Sequence, residues 1–127
     1  MRLKQPRSAN AASPLEKRIV DHGWSETGDL WLAARLPELP TSFVLNIPSA
    51  IRRYLVGRDF QATDDQDLAV GTVRINSDGA SYGYGRFLAR RGADVDDLLL
   101  VSFALTRGTA SLRLIDDEEL EALSPGV

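Results

Sequence analysis

The stretch DLLLVSFALTRGTASLRLI, residues 97–115, has the clearest pattern of a β-hairpin in the chain. Apolar residues alternate along both of its halves, as they do on strands that turn one face toward a core. They are Leu99, Val101, Phe103 and Leu105 in the first half, and Ala110, Leu112 and Leu114 in the second. Arg107 and Gly108 stand between the halves and suit a tight connection. The stretch therefore predicts a β-hairpin.

Segments on the N-terminal side of this hairpin predict further short strands. Three of them alternate between apolar and other residues or are rich in β-branched side chains, which is typical of strands. They are residues 29–36, 41–47 and 68–75, with a short helix as the alternative over 29–36. The polar run 58–67 is expected to be a loop. The NSDG sequence at 76–79 predicts a turn in which Gly79 is free to take a positive φ.

Two to four short helices are expected among these strands. Ser13 can cap a helix, Pro14 suits a first helical turn, and Glu16 completes a capping box, so the sequence predicts a helix over 14–22. The other candidate segments are residues 50–56, 82–93 and 116–123. The last is acidic, and we expect either a helix or a frayed tail there.

Length and composition are those of one globular domain. The chain has 127 residues, of which 43% are hydrophobic, enough to bury a core without disulfides. Short, mostly antiparallel strands with few helices predict the α+β class and a small open β-barrel. We expect residues 13–123 to form this domain, residues 1–12 to be a disordered basic tail, and residues 124–127 to be a short tail.

The chemistry of most enzyme classes is missing from the sequence. There is no cysteine and a single histidine, His22, which excludes thiol nucleophiles, disulfides and metal sites built on several histidines. No GxSxG elbow or Walker A lysine motif occurs. No apolar run approaches the roughly 20 residues of a membrane helix. We therefore expect a cytoplasmic binding module with no catalytic residues, no metal and no cofactor, and no membrane partner.

A glycine–aromatic motif and an acidic pair lie just before the hairpin. The first motif is Gly83, Tyr84 and Phe87, and the acidic pair is Asp96 and Asp97. Over residues 70–115 this arrangement resembles the DNA-binding pseudobarrel of plant auxin-response and abscisic-acid transcription factors. The same barrel serves as the DNA-recognition domain of some bacterial restriction endonucleases. That family has Gly-Trp-x-x-Phe and Gly-Asp at these places, so Tyr84 and Asp96 depart from its pattern.

The resemblance implies that an open barrel grips the major groove of double-stranded DNA with two arms. One arm would be RINSDGASY, residues 74–82, and the other IRRYLVGR, residues 51–58. Arginine suits this role because its planar fork binds guanine or phosphate through two hydrogen bonds. The implied DNA-binding residues are Arg52, Arg53, Arg58, Arg74, Asn76, Ser77, Ser81, Tyr82, Arg86, Arg90 and Arg91. A bacterial protein acting in transcription regulation would fit this interpretation.

The charge distribution leaves a second class of function open. The net charge is −3, whereas DNA-binding domains are usually basic. Residues 1–60 carry nine Lys/Arg and six Asp/Glu, and residues 61–127 carry six and twelve. The alternative is a protein-interaction or regulatory module that uses exposed apolar residues, such as Trp24 and Trp31, and the acidic C-terminal end.

Overall fold

The computed structural model describes residues 19–38 and 43–123. These residues form eight strands and three short helices. In chain order they are β1 (Ile19–Trp24), β2 (Leu30–Arg35), β3 (Leu45–Asn46), α1 (Ser49–Arg52), β4 (Asp59–Thr63), β5 (Ala69–Ile75), β6 (Ala80–Tyr82), α2 (Gly85–Arg90), β7 (Leu98–Ala104), β8 (Thr109–Ile115) and α3 (Asp117–Leu123). None of the three helices is long and apolar enough to cross a bilayer.

The strands form one curled sheet in the order β1-β2-β7-β8-β4-β5-β6-β3. Two antiparallel groups, β1-β2-β7-β8 and β4-β5-β6-β3, are joined where β4 runs parallel to β8 over Gln61–Thr63. The result is an open half-barrel with three short helices. Six of the seven strand pairings among the described residues are antiparallel and one is parallel. The expected open, barrel-like sheet with short helices is confirmed at this level.

The core lies on the inner face of the curled sheet. Alternate residues of each strand point into it, as period-2 patterning requires. Phe60 of β4 and Phe103 of β7 meet there with their ring centroids 4.9 Å apart. The segment that leads into α2 and the helix itself add Tyr84, Phe87 and Leu88, all buried. Side chains from both antiparallel groups therefore share one core.

A second, smaller apolar cluster lies on the outer face. It consists of Trp31, Ala33, Leu98, Leu100 and Ile115, and Leu120 and Leu123 of α3 pack against it. Ion pairs hold α3 there, since Arg35 contacts Asp117 and Arg113 contacts Glu119, each at 2.9 Å. β7 is therefore buried on both faces, which explains its nearly unbroken apolar sequence.

Two expectations about secondary structure are wrong. Within the helix predicted over 14–22, residues 14–18 lie outside the described residues, and residues 19–22 belong to β1, which pairs with β2. Ile19 and Val20 suit a strand as well as a helix, so pairing with β2 decides the outcome. The predicted loop 58–67 contains β4, in which the buried Phe60 and Ala62 alternate with the exposed Asp59 and Gln61.

Other predicted elements are present with shorter bounds. The strands predicted over 29–36 and 68–75, the hairpin over 97–115 and the turn at 76–79 are confirmed. Of the strand predicted over 41–47, residues 41 and 42 lie outside the described residues, and β3 covers Leu45–Asn46 of the rest. The helices predicted over 50–56 and 82–93 form as the shorter α1 and α2, and α3 forms close to its predicted place. β6 was not predicted as a strand. The expected tails, residues 1–12 and 124–127, lie outside the described residues.

Candidate nucleic-acid interface

Arg52 joins α1 to the turn between β5 and β6. Its Nε and Nη2 donate to the carbonyl oxygen of Ile47 at 3.1 and 2.8 Å. The guanidinium lies against Gly79, where a Cβ would come within 2.4 Å of Arg52 Nε. Gly79 has a φ of +92°, and its carbonyl accepts a hydrogen bond from the Ile47 amide at 2.8 Å. The helix and the turn are therefore held together as one unit.

Several of the implied DNA-binding residues are exposed on this unit. Asn76 and Ser77 occupy the β5–β6 turn, and both are exposed. Arg74 and Tyr82 face each other across the hairpin that the turn closes, and Tyr82 has 42% of its surface exposed. We call the α1 segment through Arg53, together with the hairpin 74–82, the arginine face.

Arg53 is oriented by Tyr54, an aromatic neighbour that is not among the implied DNA-binding residues. Its Nη2 donates to the hydroxyl of Tyr54 at 2.8 Å, and its guanidinium lies 4.9 Å from the centre of that ring. The Tyr54 ring in turn stands perpendicular to Trp24, with centroids 5.0 Å apart. Trp24 remains 49% exposed. In the sequence, the tyrosine that directly follows Arg53 was the feature that could have indicated this contact.

Arg58 is directed into the molecule. Its Nη2 donates to the carbonyl of Leu105 at 2.6 Å, Nη1 donates to that of Tyr54 at 3.3 Å, and the guanidinium lies 4.7 Å from the centre of the Phe60 ring. It links the start of β4 to the end of β7. We therefore give Arg58 a structural role and leave it out of the proposed interface.

Arg74 is exposed but already has a carboxylate partner. Its Nε and Nη2 donate to Oδ1 and Oδ2 of Asp59 at 3.0 and 3.1 Å. This two-point hydrogen bond from Arg74 holds the pKa of the Asp59 carboxyl below its usual value. The pair lies across β4 and β5, so the sequence could not indicate it without β4. Any ligand phosphate at Arg74 has to compete with Asp59.

The arginines of α2 and the turn after it form a separate group. Arg91 is paired with Asp65 and lies 3.6 Å from an oxygen of Asp64, both in the β4–β5 turn. That turn and the β5–β6 turn lie at opposite ends of β5, roughly 20 Å apart for a seven-residue strand. Arg86 and Arg90 are exposed, and neither has a hydrogen bond or ion pair within residues 19–38 and 43–123. The structure does not bring all seven arginines together.

Asp64 organises the β4–β5 turn rather than lying free in a loop. Its Oδ1 accepts hydrogen bonds from the amides of Leu68 and Gln66 at 3.0 and 2.8 Å. These bonds, that from Leu68 first, hold the pKa of Asp64 below its usual value. The side chain is buried although the turn around it is polar. A charged, anchored Asp64 gives Arg91 a fixed partner.

Ser81 lies in the core, although the resemblance implied a DNA contact. Its hydroxyl donates to the carbonyl of Leu45 at 2.7 Å and lies 2.8 Å from the hydroxyl of Tyr84. Both Ser81 and Tyr84 have 0% of their surface exposed. Burial raises the pKa of the Tyr84 hydroxyl well above its usual range. We therefore leave Ser81 out of the proposed interface.

Comparison with protein-family models, with curated proteins and with solved structures finds no match to this chain. Within residues 19–38 and 43–123, no group of three or more histidine or acidic side chains is placed to hold a metal ion. Function is therefore inferred from the geometry of the chain itself.

Proposed function

We propose that this chain is a non-enzymatic module that binds double-stranded DNA through the arginine face. The observation that supports this most is the contact between Arg52 and Gly79, which joins two polar elements into one surface. A two-stranded ribbon fits the major groove, which is about 12 Å wide. The β5–β6 hairpin is such a ribbon, with Asn76 and Ser77 at its tip.

The chemistry of the exposed residues suits a nucleic acid. Arg52 engages Ile47 through two of its three nitrogens, so donors of its five-donor guanidinium remain for a phosphate. Arg53 is exposed at the end of α1. An asparagine can bind the edge of adenine through two hydrogen bonds, which is a role for Asn76. Arg86 and Arg90 add exposed positive charge for phosphates of the DNA backbone outside the arginine face.

The pseudobarrel assignment forms part of this proposal. Gly83 has a φ of +111°, and a Cβ there would come within 2.1 Å of the Thr72 carbonyl oxygen. Tyr84 and Phe87 are buried where the motif has its aromatic residues. Asp96, which stands where the family has glycine, has a φ of +69°, a conformation that glycine adopts without steric cost. These local geometries support the resemblance.

The test is duplex binding by fluorescence anisotropy at ~50 and ~200 mM salt, a range in which phosphate contacts become visible. The Arg53→Glu/Arg86→Glu double variant reverses two exposed charges, one on the arginine face and one on α2. We expect at least a tenfold loss of affinity, and a salt slope shallower by about 0.9 for each phosphate that is no longer neutralised. Arg52 is not substituted, because its hydrogen bonds to the Ile47 carbonyl stabilise the fold.

Arg107→Glu is the matched control. Arg107 is exposed in the β7–β8 turn, is not part of the arginine face, and has no hydrogen bond or ion pair among the described residues. We expect its affinity for DNA to stay within about threefold of the wild type, because Arg107 is not among the residues proposed to contact DNA and salt screens the attraction of exposed charges that make no contact. Equal losses in the control and the double variant, or no binding at low salt, would contradict the proposal.

A protein partner is the second candidate, and it is favoured by the apolar surface of β1. Trp24 and Val20 are 49% and 40% exposed on this edge strand, and exposed tryptophans often dominate protein interfaces. Trp31 is only 4% exposed and lies in the outer cluster under α3, so it is not available. Asp117 and Glu119 of the acidic end are paired with arginines of this chain.

Affinity capture with wild-type chain and the Trp24→Ala variant tests this second candidate. A protein that is captured by the wild type, lost with Trp24→Ala and kept with Leu68→Ala would support it. Leu68 is the matched control because it is apolar and 54% exposed in a different region. Capture that does not depend on Trp24 would count against it.

A further inference from the structure

We infer that the outer face of the sheet carries a binding pocket for a small, uncharged, polyhydroxylated ligand of about monosaccharide size. The pocket has a volume of about 300 Å³, at the lower end of the range of about 300–1,000 Å³ for small-molecule sites. It lies outside the barrel and does not involve the arginine face. The inference is therefore independent of the proposed function.

The floor of the pocket is a row of hydroxyl groups from three neighbouring strands. Ser102 of β7 faces Ser111 of β8, and Ser111 faces Thr63 of β4. Neighbouring strands lie about 4.8 Å apart, so the hydroxyls recur at that spacing. Thr109, two residues before Ser111, extends the row along β8. The floor therefore offers several groups that can each donate and accept a hydrogen bond.

The rim carries charged side chains from three separate turns. Asp29 comes from the β1–β2 turn, Asp67 from the β4–β5 turn and Arg107 from the β7–β8 turn. Asp67 adopts a φ of +62°, which is uncommon outside glycine. Residues far apart in sequence therefore converge on one depression.

These polar side chains have no partners within the protein. Arg74 and Arg91 pair with carboxylates, whereas the side chains of the rim and floor form no hydrogen bond or ion pair within residues 19–38 and 43–123. Asp29, Thr63, Ser102 and Thr109 are nevertheless only partly exposed. These groups are therefore available to a ligand whose hydrogen bonds replace those made to water.

The composition of the pocket selects the class of ligand. Two carboxylates and one guanidinium give a formal charge of −1, which disfavours phosphates and other anions, and Arg107 disfavours simple cations. Each carboxylate accepts hydrogen bonds at about four positions, so it can bind two adjacent hydroxyl groups of one ligand. An uncharged ligand also avoids the cost of desolvating an ion. A sugar or polyol meets these conditions.

The experiment is a titration of the full chain, labelled with ¹⁵N, with D-glucose and D-ribose, followed by amide chemical shifts. We expect saturable shifts at Thr63, Ser102, Thr109 and Ser111, with at least one of the two sugars. Asp29→Asn/Asp67→Asn and Ser102→Ala/Ser111→Ala should each weaken binding at least tenfold. Asparagine keeps the shape of aspartate and tolerates the left-handed φ of Asp67, so the first variant is expected to fold.

Thr72→Ala is the matched control, since it removes a hydroxyl on β5 outside this pocket. We expect it to bind the sugars as the wild type does. Glycine and inorganic phosphate serve as charged probes. Shifts that saturate with either of these and with neither sugar would overturn the ligand class, and shifts that saturate with no probe would overturn the pocket. Duplex binding measured on the same variants is expected to be unchanged.

Discussion

The hairpins β7–β8 and β5–β6 show two ways of holding a pair of strands. β7 and β8 are paired at seven positions, from Leu98 with Ile115 to Ala104 with Thr109, and β7 is covered on both faces. β5 and β6 are paired at two positions, with Arg74 opposite Tyr82 and Ile75 opposite Ser81. The outer side of this second hairpin is exposed to solvent.

The two hairpins therefore differ in role: β7–β8 mainly stabilises the fold, whereas β5–β6 carries most of the candidate interface. The β7–β8 hairpin is held by buried apolar area, the dominant favourable term in folding. The β5–β6 hairpin also buries Val73 and Ile75 in the core, and it adds the specific interactions of Gly83, Ser81 and Arg52 described above. Most of the arginine face lies on this second hairpin. Sites that bind ligands are commonly drawn from the less stable parts of a structure.

Phe103→Ala should have the largest effect on stability, because it removes a buried ring that packs on Phe60. We expect a loss of about 3–5 kcal/mol in the free energy of unfolding, measured with urea. Tyr82→Ala on the other hairpin is the control, and we expect it to change stability by less than about 1 kcal/mol. Similar losses for both variants would remove the distinction between the hairpins.

Gly83→Ala should be the most damaging change on the β5–β6 side. Its Cβ would collide with the Thr72 carbonyl, whereas a Cβ at Gly71, which has a φ of +113°, would meet no atom within 4 Å. Both Gly83→Ala and Gly71→Ala place an alanine at a positive φ, which costs about 1–3 kcal/mol of backbone strain. Gly83→Ala should lose about 1–3 kcal/mol more because of the collision. Equal thermal unfolding midpoints for Gly83→Ala and Gly71→Ala would show that the Thr72 carbonyl moves away from the new Cβ.

Ser81→Ala tests the buried hydrogen bonds behind the β5–β6 hairpin. It leaves the Leu45 carbonyl and the Tyr84 hydroxyl without that partner, so we expect a loss of about 1–3 kcal/mol in urea unfolding. Tyr84→Phe keeps the bond from Ser81 to Leu45 and should cost less. Wild-type stability in Ser81→Ala would show that these bonds add nothing.

The buried Tyr84 also predicts a pH dependence. The pKa of the Tyr84 hydroxyl is raised in the folded state. Its contribution to the free energy of unfolding is therefore fully present below about pH 10, the pKa of an exposed tyrosine, and is lost as the pH rises toward the folded pKa. Stability that declines above about pH 10 in the wild type and declines less in Tyr84→Phe would agree with this. Identical alkaline profiles would contradict it.

The pair of Asp59 and Arg74 should have the smallest effect, since both side chains are exposed. The pKa of Asp59 is lowered in the folded state. Its contribution to the free energy of unfolding is therefore present above about pH 4, the ordinary pKa of an aspartate, and is lost as the pH falls through the lower pKa of the folded state. Carboxyl NMR should show Asp59 titrating below that value, and Arg74→Gln should raise its pKa. An unchanged pKa in the variant would mean that the pair does not persist in solution.

The sequence predicts best where one pattern runs long. The hairpin over 97–115 and the strand over 29–36 could be predicted because alternation and long apolar runs agree with strand geometry. β1 was missed because a helix start signal precedes Ile19, and pairing with β2 overrides it. β4 has only Phe60 and Ala62 to indicate an inner face, which is too few residues to establish a period.

The candidate sites were predicted less completely because they depend on which strands become neighbours. The exposure of Arg53 and Asn76 fits their sequence context. The closeness of Arg52 to Gly79 depends on the pairing of β3 with β6, and the partner of Arg74 depends on β4. The hydroxyl row likewise needs β7, β8 and β4 side by side, which no local pattern specifies.

The parallel pairing of β4 with β8 has a consequence for how the molecule opens. The two antiparallel groups share backbone hydrogen bonds only across this short junction among the described strands, and its residues are far apart in sequence, so closing it is slow and entropically costly. Side chains such as Phe60 and Phe103 carry much of the connection across it. When the packing of the core is weakened, the two antiparallel groups should exchange amide hydrogens as separate cooperative units, with the β4–β8 pairing as the boundary between them.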